Sequence, residues 1–233
     1  FDQSGILRLQ ARVTPDGDLH IVEFRNDGVT RKSLTVREAK KYRYYQDYPE
    51  YYRFHPDGIT VAMKVTYSSS STTVEYYDQN GALEAMREYS DYGRFKLTTY
   101  WPGGEKRYYQ YWTGPGYQNP HTDIGKHRIS EAEEYDQNGK KIREVEFYDN
   151  GIPREEMLLD GITSYSGIRR NYDRDGNLIK EVEIKRYYDY GETKTFEALE
   201  DPIKAELPEG LTGIQERPLP PDYRDLPDFK LED

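Results

Sequence analysis

Apolar and polar side chains alternate with period two over several stretches of the chain. Ile59, Val61, Met63, Val65 and Tyr67 fall on one face, against Thr60, Ala62, Lys64 and Thr66 on the other. Phe95, Leu97, Thr99 and Trp101 oppose Arg94, Lys96, Thr98 and Tyr100 in the same way, and Leu178, Val182, Ile184 and Tyr188 stand opposite Glu181, Glu183 and Lys185. Successive side chains of a pleated strand point to opposite faces, so this alternation predicts half-buried β-strands.

The strands are punctuated by an aromatic residue followed by a glycine-bearing turn. Tyr77-Asp78-Gln79-Asn80-Gly81 recurs unchanged as Tyr135 to Gly139, and Tyr172-Asp173-Arg174-Asp175-Gly176 is close to it. Looser copies run from Phe24 to Gly28, Phe54 to Gly58, Tyr148 to Gly151 and Tyr188 to Gly191. Glycine spacings such as 28−17 = 11, 93−81 = 12 and 151−139 = 12 fit one strand plus one turn. Asn-Gly and Asp-Gly readily take the positive φ that a tight hairpin needs, so each copy is expected to reverse the chain. The expected fold is all-β: an antiparallel β-meander of hairpin repeats over residues 1 to 200, followed by a proline-rich, extended, acidic tail over 201 to 233.

Three segments depart from the pattern. Thr35 lies three residues before Glu38, the spacing of a capping box, which predicts a short helix over Thr35 to Gln46. Ser68 to Thr73, four serines and two threonines, predicts a mobile loop, and Trp112 to Lys126 holds too much Gly and Pro for a strand. The tail carries Pro202, Pro208, Pro218, Pro220, Pro221 and Pro227, six of 13 prolines. Proline removes ladder donors and favours polyproline geometry, so the tail is expected to cap the array in extended form or to reach a partner.

Composition changes the picture in two ways. Ile, Leu, Val and Phe are sparse for a charged chain of 233 residues, but 24 tyrosines supply large rings whose hydroxyls tolerate water, making a thin, partly wet core feasible. Acidic residues outnumber basic ones by 43 to 33, a field that repels nucleic acid and anionic membranes. Absence of cysteine excludes disulfides, thiol nucleophiles and cysteine-ligated zinc, and no apolar run approaches the ~20 residues of a membrane-spanning helix. The chain opens on Phe1 rather than Met, which suggests removal of a leader or trimming, and leads to the expectation of a periplasmic or extracellular location.

The stretches YYDQNGALEAMREY, EYDQNGKKIREVEFYDNGIPREE and NYDRDGNLIKEVEI resemble the MORN-variant repeats of bacterial toxin–antitoxin-type antitoxin proteins. Tyr172 to Ile179 is also similar to the YD repeat of RHS proteins, although the chain lacks the length of an RHS shell. The similar stretches cover about residues 74 to 192. What the resemblance implies is a non-enzymatic β-hairpin array serving as a scaffold or binding surface.

Candidate chemistry is thin. His121, Asp123 and His127 lie close enough in sequence to suggest zinc, but loop histidines are the simpler reading. Asn171, Asp173, Asp175 and Gly176 copy the first half of a calcium loop, yet its twelfth position is Val182 rather than glutamate, and the turn reading is preferred. Glu144 with Glu146, and Glu181 with Glu183, alternate along strands and read as solvated faces rather than a hydrolytic pair. No G-x-S-x-G elbow, P-loop or dinucleotide fingerprint occurs. A first tyrosine cluster comprises Tyr42, Tyr44, Tyr45, Tyr48, Tyr51 and Tyr52. The candidate binding surface is the second aromatic group, Tyr100, Trp101, Tyr108, Tyr109, Tyr111, Trp112 and Tyr117, with no catalytic residue, metal or cofactor. The expected role is protein–protein interaction, as scaffold, accessory subunit or immunity-like binding protein; stacking of the rings on glycans is the alternative.

Overall fold

A computed structural model describes residues 1–38, 48–90, 93–114, 127–161, 166–186, 189–195, 203–205 and 217–226. The chain divides into two compact units, Phe1–Asp91 with Leu219–Asp233, and Tyr92–Pro218. The first unit carries β1 (Leu9–Val13), β2 (Leu19–Phe24), β3 (Arg31–Arg37), β4 (Glu50–Phe54), β5 (Val61–Tyr67), β6 (Ser71–Tyr77) and β7 (Leu83–Ser90). The second carries β8 (Arg94–Tyr100), β9 (Lys106–Thr113), β10 (Arg128–Tyr135), β11 (Lys141–Phe147), β12 (Pro153–Leu159), β13 (Gly167–Tyr172), β14 (Leu178–Arg186) and β15 (Asp189–Thr195). Within each unit every strand pairs antiparallel with its neighbour in sequence, so the chain is an all-β meander as its periodicity predicts.

The turns differ in detail from the expected tight hairpins. In the commonest form the amide of the first turn residue donates to the carbonyl four residues on, and the glycine amide donates back, as in Asp78 N to Ala82 O (2.9 Å) with Gly81 N to Asp78 O (3.1 Å). This is a type I turn closed by a left-handed glycine that bulges the ladder. Gly81 has φ 84°. The register slips at the residue before the turn, where the aromatic stands: Phe24, Phe54, Tyr77, Tyr100, Tyr135, Phe147 and Tyr172. The turns at Arg25 and His55 are one residue longer, with Asp27 and Asp57 accepting from the amides of Thr30 and Thr60. The extra residues, Val29 and Ile59, are pushed into solvent. Ile59 therefore leaves the Val61, Met63, Val65 face on which alternation puts it.

Three local expectations are corrected. Trp112 and Thr113 close β9 rather than open a loop. Thr35 is not a helix cap: it sits mid-strand in β3, opposite Ile21 and Tyr51, and is buried. The β-branched side chain fills the sheet interior there, while residues 39–47 lie outside the described set. Ser68 to Thr73 is a tight reversal rather than a loop, since Ser68 N donates to Ser71 O (2.9 Å) and β6 begins at Ser71.

In the first unit Ile21, Met63, Val65, Tyr67, Val74, Tyr76, Ala85 and Tyr89 form the buried face, with Arg87 buried among them. Arg87 Nη1 donates to the Tyr89 hydroxyl (3.0 Å), and its guanidinium lies over the Tyr76 ring. Leu219–Leu226 also belongs to this unit: the buried Tyr67 hydroxyl donates to the carbonyl of Pro221 (2.6 Å), and Leu226 is buried. In the second unit the buried face runs through Phe95, Leu97, Gln110, Ala132, Val145 and Phe147.

Candidate functional site

The described members of the second aromatic group lie on β8, β9 and the turn between them, and strand pleating sorts them onto two faces. Tyr108, Gln110 and Trp112 share the core face. Trp112 stacks on Phe95 (5.3 Å between centroids, 9° between planes), and its indole N–H donates to Gln110 Oε1 (3.0 Å). The Tyr108 hydroxyl reaches Glu134 (3.3 Å), and burial of the ring followed by the Glu134 charge pushes its pKa up. Trp101, in the turn, carries the Arg107 guanidinium 4.5 Å from its ring centre and donates its indole N–H to Tyr135 O (3.2 Å). Tyr109 and Tyr111 point to the opposite face and are half-buried, as is Tyr100. Tyr117, His121 and Asp123 lie outside the described residues, whereas His127 is buried edge-on against Phe95 (5.2 Å).

The Trp101 bond belongs to a recurring device. The first residue of a turn sends a side-chain donor to the main-chain carbonyl that opens the next turn on the same edge of the sheet. Arg25 donates to Phe54 O (3.0 Å), the His55 ring nitrogen contacts Tyr77 O (3.0 Å), and Tyr148 donates to Tyr172 O (2.8 Å). Where the first residue is Asp78, Asp136 or Asp173, its carboxylate instead accepts two amides of its own turn. Phe1-Asp2-Gln3-Ser4-Gly5 closes in the same way, a copy that the aromatic-Asp-Gln-x-Gly pattern carries in plain view and that the repeat reading misses. The Asp173 bonds account for the half calcium loop as a turn, and Asn171 is used on β13, donating to Glu155 (3.1 Å).

Charges on the second unit are distributed differently on its two faces. On the face that is buried from β8 to β12, one lateral row of the ladder reads Leu97, Gln110, Ala132, Val145, Glu156, Arg170, Glu181 and Lys194 from β8 to β15, although in β14 the buried Val182 and Ile184 lie on the other face. Past Val145 its signs alternate strictly. Glu156, buried, is bound by Arg143, by Arg170 (3.8 Å) and by the Tyr172 hydroxyl (2.7 Å); Arg170 also binds Glu181 (2.9 Å), and Lys194 lies 3.8 Å from Glu181. Burial, then the hydrogen bond to Glu156, raises the Tyr172 pKa. Sequence reasoning missed Arg143, Glu156 and Arg170; their signal is a charge at one lateral position of consecutive strands, visible only once register is known.

The opposite face carries like charges in register. One row reads Lys96, Tyr111, Glu131, Glu146, Glu155 and Asn171, and the next reads Thr98, Tyr109, Glu133 and Glu144. Directly opposed like charges weaken a sheet. Lys141 bridges Glu133 (3.0 Å) and Glu144 (2.9 Å), Arg154 binds Glu146, and Arg169 binds Glu155 (3.3 Å). Burial opposes ionisation of Glu133, but the Tyr135 hydroxyl and Lys141 outweigh it and hold its pKa low. The sequence candidates Glu144 and Glu146 stand on this face, separate from Glu181 on the core-face row.

No family model and no curated protein matches this chain. Among solved structures it is similar to a chain of the Tc holotoxin pore of Photorhabdus luminescens bearing a TccC3 mutation, at 10% identity and a TM-score of 0.17, over 81% of this chain and 13% of that one. It is likewise similar to a chain of the TcdB2-TccC3 crystal structure, at 11% identity and a TM-score of 0.15, over 82% and 14% of the two chains. The chain thus spans 13 to 14% of the length of these solved chains, and at such TM-scores the similarity is weak. The MORN-variant resemblance has no family match beside it.

Proposed function

We propose that the protein is a non-enzymatic binding module of a larger assembly, and that the second unit recognises a basic stretch of polypeptide through the face of Tyr109, Tyr111, Glu131, Glu133, Glu144 and Glu146. The observation that carries this reading is the asymmetry between its faces. One row neutralises itself strand by strand, while the other sets Glu131, Glu146 and Glu155 side by side on three adjacent strands, with Arg154 and Arg169 answering two of the three charges from outside the row. Arginine or lysine side chains of a partner would relieve that opposition, and half-exposed tyrosine rings beside it offer apolar contact and cation–π faces. The glycan alternative draws less support, because Trp112 and Trp101 each have ring area taken by Phe95 and Arg107.

Calorimetric titration with a short peptide of alternating arginine and threonine tests the proposal. Saturable binding is expected, weakened about tenfold by Tyr111→Ala and more by Glu131→Lys with Glu146→Lys, and unaffected by Glu183→Gln on the other face. Absence of binding, or binding equally affected by Glu183→Gln, would overturn it.

A further inference from the structure

The tail segment Leu219–Leu226 is held on the first unit by a mode of contact unlike the strand pairing elsewhere. No ladder pairs it with a strand among the described residues. Asp222 has φ −65° and ψ 132°, and Leu226 has φ −71° and ψ 143°, both polyproline values, and they flank a single 3-10 turn at Tyr223–Asp225. Pro220 and Leu226 are buried, and the Tyr67 hydroxyl donates to the carbonyl of Pro221 (2.6 Å). Burial, followed by the charges of Tyr51 and Asp222, pushes the Tyr67 pKa up, so that hydroxyl stays a donor throughout the ordinary pH range. The Asp222 carboxylate accepts from the amide and the guanidinium of Arg224, which fixes the bend between the two anchors.

These features are the elements of polyproline recognition: an extended ligand stiffened before binding, an aromatic hydroxyl on a ligand carbonyl, and apolar residues entering the surface at intervals. We propose that the Tyr67 face of the first unit is a receptor site for proline-rich extended polypeptide, and that Leu219–Leu226 is its resident ligand, exchangeable for the same kind of segment presented by a different protein. The segment matches the site through Pro220, Pro221 and Leu226, so a competing ligand has the pattern Pro-Pro followed by an acidic residue and, four positions later, leucine. Tethering gives the resident segment an effective concentration on the order of millimolar. Only a ligand at high local concentration, such as one within an assembly, displaces it.

The test uses the full chain and a fluorescent peptide of residues 217 to 229. Leu226→Asp removes the resident anchor, and this variant should bind the peptide at least about tenfold more tightly than the unaltered protein. Adding Tyr67→Phe should weaken that binding about fivefold, the loss of one hydrogen bond. Sedimentation of the unaltered protein over a concentration series should show a strict monomer, and association that Leu226→Asp abolishes would make a second copy the donor and overturn the assignment to a different protein. Should Leu226→Asp not fold, tryptic cleavage after Arg224 in the unaltered protein supplies the same information. An excess of peptide lacking arginine should accelerate it severalfold. Equal, weak binding to both proteins with tertiary circular dichroism intact, or cleavage indifferent to the peptide, overturns the proposal.

Discussion

Glu156 shows how much a single side chain depends on which face of a strand it occupies. It is buried, yet its carboxylate is met by Arg143, Arg170 and the Tyr172 hydroxyl, so its removal takes the shared acceptor from two guanidinium groups, leaving Arg170 with Glu181 and the more buried Arg143 with Glu134 at 4.0 Å. Breaking one partner of a buried ionic set costs far more than the set itself contributes, because the surviving charge keeps its desolvation penalty. Glu156→Gln is therefore expected to destabilise the protein by about 3 kcal/mol in urea unfolding. Glu146, half-exposed between Glu131 and Glu155, behaves otherwise: its attraction to Arg154 is offset by two like-charged neighbours. Glu146→Gln should change stability by no more than about 0.5 kcal/mol. A result with the two values interchanged would show that the register of the charge rows is wrong.

At the scale of elements, the glycine turns do more than reverse the chain; they stack. A Cβ built on Gly58 would come within 2.6 Å of Thr30 Cγ2 and 2.9 Å of the Arg31 amide, the residues leaving the previous turn on that edge, whereas a Cβ on Gly81 meets open space. Both glycines have left-handed φ, 68° and 84°. Gly81→Ala should thus cost only the backbone penalty of about 1–2 kcal/mol, and Gly58→Ala clearly more, compared by thermal or urea midpoints. The strands and their reversals were legible because alternation and Asn-Gly or Asp-Gly spacing are local signals. Thr35 misled because its three-residue spacing to Glu38 is also local, and only burial against Ile21 and Tyr51 decides for the strand. The crowding of aromatic residues on β8 and β9 is visible in the letters, but not their partition between faces. Tyr108 and Tyr109 differ by one pleat, and which of them faces the core follows from the pairing of β8, β9 and β10. The charge rows were hidden for the same reason, since Glu131, Glu146 and Glu155 are neighbours only across strands.

For the molecule as a whole, pH acts through two populations at opposite ends of the scale. Asp2, Asp27, Asp57, Asp78, Asp136 and Asp173 have lowered pKa values, each led by a hydrogen bond to its ionised carboxylate; that of Asp27 falls to about 2 through the Thr30 hydroxyl first. Their contribution is complete above the unfolded carboxylate value of about 4 and fades as pH falls through the folded values. Tyr51, Tyr52, Tyr67, Tyr77, Tyr89, Tyr108, Tyr135 and Tyr172 are shifted upward, burial being the largest cause in each, with Tyr77 at about 12. A raised phenol pKa stabilises the folded state below the unfolded value of about 10, and that stability is lost as pH climbs through the folded values. Urea midpoints should therefore hold steady between about pH 5 and 9 and decline on both sides. The alkaline limb should track phenolate absorbance and the acid limb should shrink when Asp27, Asp78 and Asp136 are replaced by Asn. A flat alkaline limb would mean that the tyrosines do not carry the interior.

The side-chain bonds from turn to turn end on main-chain oxygens, and Arg25, His55, Trp101 and Tyr148 perform the same task with four unrelated chemistries. An acceptor that every amino acid supplies places no demand on the identity of the receiving residue, and the donor has only to reach it. Ancestral copies of such a repeat can drift until no two share a recognisable letter beyond glycine, while the architecture they specify is inherited intact.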